Sequence, residues 1–278
     1  MRIAVNTRLI LKNKLEGIGW FTYETMSRMA AQHPEHDFIF IFDRPVHPDF
    51  KFSENVKTVV AGPQTRHPIL WYLWFEWVIP RVLKKHKADL FISPDAYASL
   101  RTKVPTITVI HDLNFVHHPE YLPKIVEKYY NYFVPKFIKH SVRIGTVSEY
   151  SKKDIIKAYN TDADKIDVYY NGSNNYYSPV SDEVKTETKS KFSREKDYFL
   201  FVGALNPRKN IPGLLKSYEK YREKAGRNNL LIVGSAMHKT EEIDACLKEM
   251  KYSEDVIFTG RLSVEDLSKV MSSAQALV

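Results

Sequence analysis

The sequence is poor in cysteine. Of its 278 residues only Cys246 carries a thiol, so no disulfide can form within the chain. Secreted domains commonly rely on disulfides, whereas cytoplasmic ones do not. The first residues, Met1–Asn6, also lack the apolar stretch and small residues of a secretory signal. Both absences favour a cytoplasmic protein in which the lone thiol has a packing role.

Long apolar runs are also scarce. The densest one, residues 69–79, contains Glu76 and is shorter than the roughly 20 residues that span a bilayer. Its tryptophans, Trp71, Trp74 and Trp77, predict a helix that packs an aromatic face into a core or an acceptor site. The alternative is an interfacial helix that docks peripherally at the inner face of a membrane.

Acidic residues are too few to balance the basic ones. The formal net charge is +8, and the pI is about 9.2. This excess favours anionic partners, such as nucleotide diphosphates, anionic lipids or nucleic acid. The lysines are scattered along predicted helices, and the sequence carries no basic-aromatic recognition motif. We therefore expect no nucleic-acid partner.

Short β-rich runs alternate with helical patterns, which predicts an α/β protein with parallel sheets. The first predicted strands are 3–5, 38–42, 89–92, 106–110, 143–147 and 166–170, and the helices between them are 18–32, 69–87, 121–140 and 149–159. After an irregular polar segment the alternation starts again with the apolar strand 198–203. We expect two doubly wound, Rossmann-like domains, 1–175 and 176–278. The last residues, 274–278, resemble the start of another buried strand, so the second domain is expected to be incomplete.

Two glycines follow the first predicted strand. Gly17 and Gly19 open a helical pattern, and without side chains in the way the backbone amides there could approach an anion closely. The spacing differs from the dinucleotide fingerprint, which places glycines immediately after the strand and an acid about 20 residues later. An ordinary turn is the alternative.

A histidine and an aspartate come directly after the apolar strand 105–110. In an open α/β fold, this position places His111 and Asp112 at the carboxyl edge of the sheet, where ligands bind. The imidazole could donate a hydrogen bond to a sugar hydroxyl, with the carboxylate orienting it. A histidine that only caps a loop is the alternative. The nearby His117 and His118 lack a regular ligand spacing, so we expect no metal site.

A basic loop opens the second predicted domain. Gly203 ends its first strand, and Arg208, Lys209 and Asn210 follow just before a helical pattern. An arginine fork, a lysine charge and a helix N-terminus could converge there on a phosphate and offset the charge of a diphosphate leaving group. Exposed Arg-Lys pairs are common in loops, so an ordinary surface loop is the alternative.

Taken in order, several short motifs resemble those of the retaining glycosyltransferases of family 4. The matching stretches are Gly17–Gly19, Trp74–Glu76, Ile79–Pro80, Val109–Asp112, Thr146–Ser151, Tyr170–Gly172, Phe201–Gly203, Arg208–Asn210 and Phe258–Gly260. They cover nearly the whole chain, and their order is more specific than any one of them. The resemblance implies the GT-B fold, in which two Rossmann-like domains face a cleft. The first domain would face the acceptor, and the second would bind the nucleotide sugar.

The resemblance also implies roles for the candidate residues. His111 would contact the transferred sugar, and Arg208 and Lys209 would offset the charge of the leaving diphosphate. The residues expected to bind the donor are Gly17, Gly19, Gly203, Arg208, Lys209 and Asn210. The acceptor hydroxyl would attack from the face that the phosphate leaves, with retention of configuration and without a metal or other cofactor.

By this resemblance the chain is expected to transfer a hexose, mannose or glucose, from a nucleotide-sugar donor to a glycan or lipid-linked acceptor in polysaccharide biosynthesis. Family members carry a pair of glutamates soon after the strand that begins here at Ala276, and this sequence ends before that pair. One alternative is therefore a chain that binds the sugar nucleotide without turning it over. Another is a hydrolytic or epimerising use of the same fold.

Overall fold

The computed structural model describes residues 1–12, 15–173, 176–235 and 241–278. The chain divides into two compact units, 1–171 and 172–278. In its described residues each unit is built around one parallel sheet flanked by helices. The α/β class predicted from the alternating pattern is therefore confirmed.

The first unit contains a seven-stranded sheet in the order β3-β2-β1-β4-β5-β6-β7. Its strands are β1 (Arg2–Asn6), β2 (Asp37–Phe42), β3 (Val56–Val60), β4 (Leu90–Ser93), β5 (Thr106–Val109), β6 (Arg143–Thr146) and β7 (Ile166–Val168). Its helices are α1 (Gly17–Gln32), α2 (Pro68–Leu73), the π-helical turn Trp74–Val78, α3 (Ile79–Lys85), α4 (Asn114–His117), α5 (Lys124–His140) and α6 (Glu149–Tyr159).

Successive side chains of each strand in this sheet point to opposite faces. Ala4 and Ile39 pack in one core beneath α2, α3, α5 and α6, whereas Ile3 and Phe38 pack in the other core beneath α1. Both faces are thus covered by helices, which is why the central strands are almost uniformly apolar.

The aromatic run predicted to form a packed helix is divided between core and surface. Trp74 and Phe75 are fully buried, which confirms the packing interpretation for them. Trp77 is 41% exposed and lies on the outside of the same segment. Within the described residues, none of the helices combines the length and apolarity needed to cross a membrane.

The second unit has a four-stranded parallel sheet in the order β10-β9-β8-β11. Its strands are β8 (Tyr198–Val202), β9 (Asn229–Val233), β10 (Val256–Gly260) and β11 (Ala276–Leu277), and its helices are α7 (Asp182–Ser193), α8 (Ile211–Glu223), α9 (Glu241–Glu249) and α10 (Val264–Ser273). Cys246 is buried among apolar side chains of α8 and α9, as its predicted packing role requires.

One local expectation was wrong, and one strand was not predicted. Residues 276–277 form a strand as predicted, but both are exposed because β11 lies at the edge of the sheet and pairs with β8 alone. Strand β3 was not predicted, because Val56–Val60 contains Lys57 and Thr58 and pairs only with β2 at the other sheet's edge.

Candidate functional site

Each sheet contains a point at which the order of its strands reverses. In the first unit β1 lies between β2 and β4, and in the second β8 lies between β9 and β11. The loops that leave the carboxyl ends of the strands diverge at such a point, and open parallel sheets bind ligands in the crevice between them. The candidate residues lie near these two carboxyl edges.

In the first unit, buried polar side chains join the ends of β1 and β4. Asn6 Nδ2 donates to Asp95 Oδ1 at 2.7 Å and to Ser93 Oγ at 3.1 Å. Arg8 Nε donates to Asp95 Oδ2 at 2.7 Å, and the side chains of this ion pair are only 6% and 3% exposed. A buried ion pair persists only when its other donors and acceptors are also satisfied. Both carboxylate oxygens of Asp95 are used in this way.

The guanidinium of Arg8 is held from several sides. Its Nη1 donates to Thr65 Oγ1 at 3.0 Å, and its Cζ lies 4.5 Å from the centre of the Tyr97 ring. The Thr65 hydroxyl and backbone amide both donate to Asp43 Oδ2 at 2.7 Å. This network fixes the loops after β1, β2, β3 and β4 relative to one another. These residues were not predicted, although polar residues directly after buried strands were the available signal.

His111 lies beside this network, just beyond β5. A backbone carbonyl can only accept a hydrogen bond, so the 2.8 Å contact between His111 Nε2 and the Pro94 oxygen places a proton on Nε2. The pKa of His111 is lowered from its ordinary 6.5 by burial, against the opposing effects of the Pro94 contact, Asp95 and Asp112. The neutral ring therefore offers Nδ1 as an acceptor, which differs from the donor role expected from the sequence.

The carboxylate expected to orient this imidazole has another partner. Asp112 Oδ1 accepts a hydrogen bond from the backbone amide of Asn114 at 3.0 Å, at the start of α4. The ring of His111 is oriented by the Pro94 carbonyl and by Phe21, whose ring meets it edge-on with centroids 5.0 Å apart.

Phe21 belongs to the first turns of α1, so the structure brings the Gly17–Gly19 segment near His111. A Cβ at Gly19 would lie 2.7 Å from the Leu9 carbonyl oxygen, so this position requires glycine for a close approach of backbone. A Cβ at Gly17 would meet no atom within 4 Å. Helix α1 begins there, and among the described residues its N-cap Glu16 makes no side-chain hydrogen bond to the first turn.

In the second unit, glycines occupy the carboxyl ends of β8, β9 and β10. The amide of Gly203 donates to the Val233 oxygen at 2.9 Å, and that of Gly234 donates to the Gly260 oxygen at 3.0 Å. A Cβ at Gly234 would lie only 1.8 Å from the Gly203 carbonyl oxygen. Backbone alone forms this edge, so a ligand can approach the ends of the strands closely. Gly234 was not among the predicted residues, since its position after β9 was its only signal, and Gly260 was noted only as the end of the matching stretch Phe258–Gly260.

The basic loop folds back over this glycine edge. Arg208 and Lys209 are exposed on the short 3-10 turn Pro207–Lys209, and Lys209 Cε is 3.7 Å from where a Cβ of Gly203 would stand. Asn210 has a positive φ of 48°, and its side chain caps α8 by accepting from the Gly213 amide at 3.2 Å. Its side chain therefore supports the loop. The donor-contact role predicted for Asn210 stays a prediction.

Asn206, just before the basic turn, is a further polar group that the sequence analysis missed. Its Oδ1 is buried and finds no hydrogen-bond partner within the described part of the chain. Buried polar atoms are normally paired, so this oxygen marks an unusual position beside the basic turn.

The histidines near α4 contact separate carboxylates. His117 Nε2 lies 2.8 Å from Asp154 Oδ2, and His118 Nδ1 lies 3.1 Å from Glu120 Oε1. Among residues 1–12, 15–173, 176–235 and 241–278, the side chains form no group of three metal-ligating residues that could hold an ion.

Comparison with family models gives two matches along the chain. A model described as Glycosyltransferase Family 4 matches residues 15–174, and one described as Glycosyl transferases group 1 matches residues 183–278. Together these models cover both structural units.

Curated relatives give a consistent picture. The O-antigen chain mannosyltransferase RfbU of Salmonella typhimurium is 28% identical over 81% of this chain, which spans 59% of that protein's length. The O-antigen chain mannosyltransferase B of Escherichia coli is 27% identical over 100% of this chain and 76% of its own length.

Among solved structures, Anabaena HepE in complex with UDP and glucose superposes with a TM-score of 0.70 at 14% identity. The match covers 100% of this chain and 73% of HepE. At this identity the likeness shows the fold alone, and it confirms the GT-B fold expected from the order of the motifs.

Proposed function

The chain belongs to glycosyltransferase family 4, and we propose that it transfers a hexose from a nucleotide-sugar donor to a glycan or lipid-linked acceptor with retention of configuration. Mannose or glucose is the proposed sugar. The names of the Salmonella and E. coli relatives support mannose, and the UDP and glucose bound to HepE support a nucleotide-sugar donor. The observation that carries the proposal is the placement of Lys209 over Gly203 at the carboxyl edge of β8.

The donor diphosphate would bind at this edge of the second unit. Gly203 and Gly234 leave the strand ends free of side chains, so the phosphates can reach the backbone. Arg208 and Lys209 lie exposed beside them and would neutralise the charge that grows on the leaving diphosphate. In this proposal two cationic side chains neutralise the charge that a divalent metal neutralises in other phosphate chemistry, so no cofactor is required.

The first unit would hold the acceptor and part of the transferred sugar. Nδ1 of neutral His111 can accept a hydrogen bond from a sugar hydroxyl, and the amides at the start of α1 can donate to a phosphate or hydroxyl. The cytoplasm is the proposed compartment, because nucleotide sugars are the proposed donors and the sequence is nearly free of cysteine.

Calorimetric titration of this chain with UDP, GDP and ADP tests the donor site. The Arg208→Ala, Lys209→Ala double variant should lose about 3 kcal/mol of nucleotide binding, roughly a hundredfold, because two charge-assisted contacts disappear. A Lys220→Ala, Lys224→Ala variant removes the same charge from exposed positions at the end of α8 and serves as the control. Equal affinity in both variants would remove Arg208 and Lys209 from the donor site.

Product analysis then separates the candidate activities. Transfer to an added acceptor supports the proposal, whereas nucleotide binding without turnover points to a non-catalytic binding module. Products formed from the donor alone would point to hydrolysis or epimerisation, which the same fold can also support.

A further inference from the structure

The outer side of the first unit carries apolar side chains that no core explains. On the helical segment 68–85, Ile69, Leu73 and Trp77 are 60%, 39% and 41% exposed at intervals of four residues. On α5, Ile125 and Tyr132 are 48% and 60% exposed, seven residues apart. Each set follows the period of a helix, so each forms one stripe on its helix surface.

The two stripes belong to neighbouring helices. The Tyr72 and Phe133 rings lie 5.8 Å apart, and the Trp71 and Tyr129 rings lie 5.5 Å apart. The buried sides of both helices contribute to the same core over one face of the sheet. Their exposed sides therefore point away from that core together and form one outer face, here called the 68–85/α5 face.

The exposed charges on this face have one sign. Its cations are Arg81, Lys84, Lys124, Lys128, Lys136 and Lys139. The carboxylates of the two segments are Glu76, which is 4% exposed, and Glu127, which is half-buried. A surface of this kind attracts polyanions and repels a surface of equal charge.

Cations and aromatic rings also meet directly on or beside this face. Lys136 Nζ lies 3.2 Å from the centre of the Tyr132 ring, and Arg101 Cζ lies 3.9 Å from the centre of the Trp77 ring. Aromatic rings with flanking cations suit the boundary between lipid headgroups and acyl chains, where one end of the side chain is apolar and the other is wet.

We propose that the 68–85/α5 face docks the first unit peripherally on an anionic lipid surface. Ile69, Leu73 and Ile125 enter the boundary of the acyl chains, and the lysines pair with lipid phosphates. The charge of the face is complementary to phosphate-rich headgroups, and its apolar stripes suit the boundary of the acyl chains. This inference does not depend on the proposed transfer reaction.

Two other occupants fit the face less well. A second copy paired through the same face would bring like charges together, which is unfavourable. Nucleic acid would satisfy the lysines, but its phosphate backbone offers no apolar partner to exposed aliphatic side chains such as Ile69 and Ile125.

Co-sedimentation of the whole chain with vesicles tests the proposal. The protein should bind vesicles of phosphatidylglycerol and phosphatidylcholine and should bind pure phosphatidylcholine far more weakly. Reversing three charges on α5, in Lys124→Glu, Lys128→Glu, Lys136→Glu, should weaken partitioning at least about a hundredfold, since each basic residue near the surface contributes about 1 kcal/mol. The matched control, Lys216→Glu, Lys220→Glu, Lys224→Glu, makes the same change in net charge along exposed positions of α8.

The apolar stripes need a test of their own. Ile69→Ser with Ile125→Ser should weaken vesicle binding about tenfold. The control pair Val60→Ser and Val142→Ser removes side chains that are 53% and 52% exposed elsewhere in the first unit, and it should bind as the parent does. The proposal is overturned if the α8 control weakens binding as much as the α5 variant, or if the isoleucine variant partitions normally. Tight, isoleucine-independent binding to a single-stranded oligonucleotide, without vesicle binding, would assign the face to nucleic acid.

Discussion

Each sheet has an arginine near the point at which its strand order reverses, but one of these arginines is buried and the other is exposed. In the first unit Arg8 is buried and joined to Asp95, Thr65 and the Tyr97 ring. In the second unit Arg208 is exposed on a short turn beside a glycine-lined edge. The same residue type at equivalent places in the two topologies therefore serves different purposes. One arginine locks loops together, and the other remains available to a ligand.

This difference shows how a shared architecture separates rigidity from binding. A buried ion pair is costly to desolvate and cannot reorganise, so it sets the positions of nearby groups such as the Pro94 carbonyl and His111. At the glycine edge the backbone amides of Gly203 and Gly234 are already paired, and the exposed cations beside them keep their hydrogen-bonding capacity for a ligand. The following changes are chosen to break or sharpen this contrast, beginning with the largest expected effect.

Asp95→Ala should be the most destabilising. It leaves the buried Arg8 charge without its partner, a loss that typically costs about 3 to 5 kcal/mol. The tryptophans of the sequence are Trp20, Trp71, Trp74 and Trp77, all in the first unit. Tryptophan fluorescence during urea unfolding therefore reports on this unit selectively.

Two controls set the scale for that measurement. Asp167→Ala removes a carboxylate that pairs with Arg143 at 2.6 Å, but these side chains are 35% and 48% exposed, so the loss should stay below about 1 kcal/mol. Arg208→Ala lies in the second unit and should leave this fluorescence transition unchanged within about 0.5 kcal/mol. The contrast between the two edges fails if Asp95→Ala costs no more than Asp167→Ala.

Gly234→Ala should have the next largest effect, confined to the second unit. A new Cβ would lie 1.8 Å from the Gly203 oxygen, and the φ of +152° is strained for any residue with a side chain. We expect a loss of about 2 kcal/mol or more. Amide hydrogen exchange in β8 and β9 would measure it. Gly172→Ala, where a Cβ meets nothing within 4 Å, is the matched control and should leave that exchange unchanged.

Much of this fold could be predicted because the spacing of apolar residues in the sequence matches the pattern of buried residues in the structure. The boundaries of α6 match the predicted 149–159, since Ser148 caps this helix by accepting from the Ser151 amide. Edge strands were harder to predict. Apolar and polar residues alternate too little in β3, and the exposure of β11 depends on which strand lies beside it.

The residues of the candidate site also divide into those that a local sequence pattern predicts and those that it does not. Gly203, Arg208 and Lys209 lie within seven residues of one another, so the pattern of a single loop was enough to predict them. The Arg8–Asp95 pair spans 87 residues of sequence, and only the parallel pairing of β1 with β4 brings its members together. Short-range patterns cannot report a contact of that separation.

The smallest expected effect concerns the proton on His111. Because burial lowers the pKa of this ring below 6.5, the unfolded chain binds more protons than the folded one as pH falls from that value toward the folded pKa. Stability should therefore decline over that interval. A long-range ¹H–¹⁵N spectrum, assigned with His111→Gln, should show the Nε2–H tautomer at neutral pH. Phe21→Ala should raise the pKa toward 6.5, since it admits water to a ring that Phe21 now shields. An Nδ1–H tautomer would instead show that the Pro94 carbonyl does not orient the ring, and the first unit would then present a donor to its ligand as the second unit does.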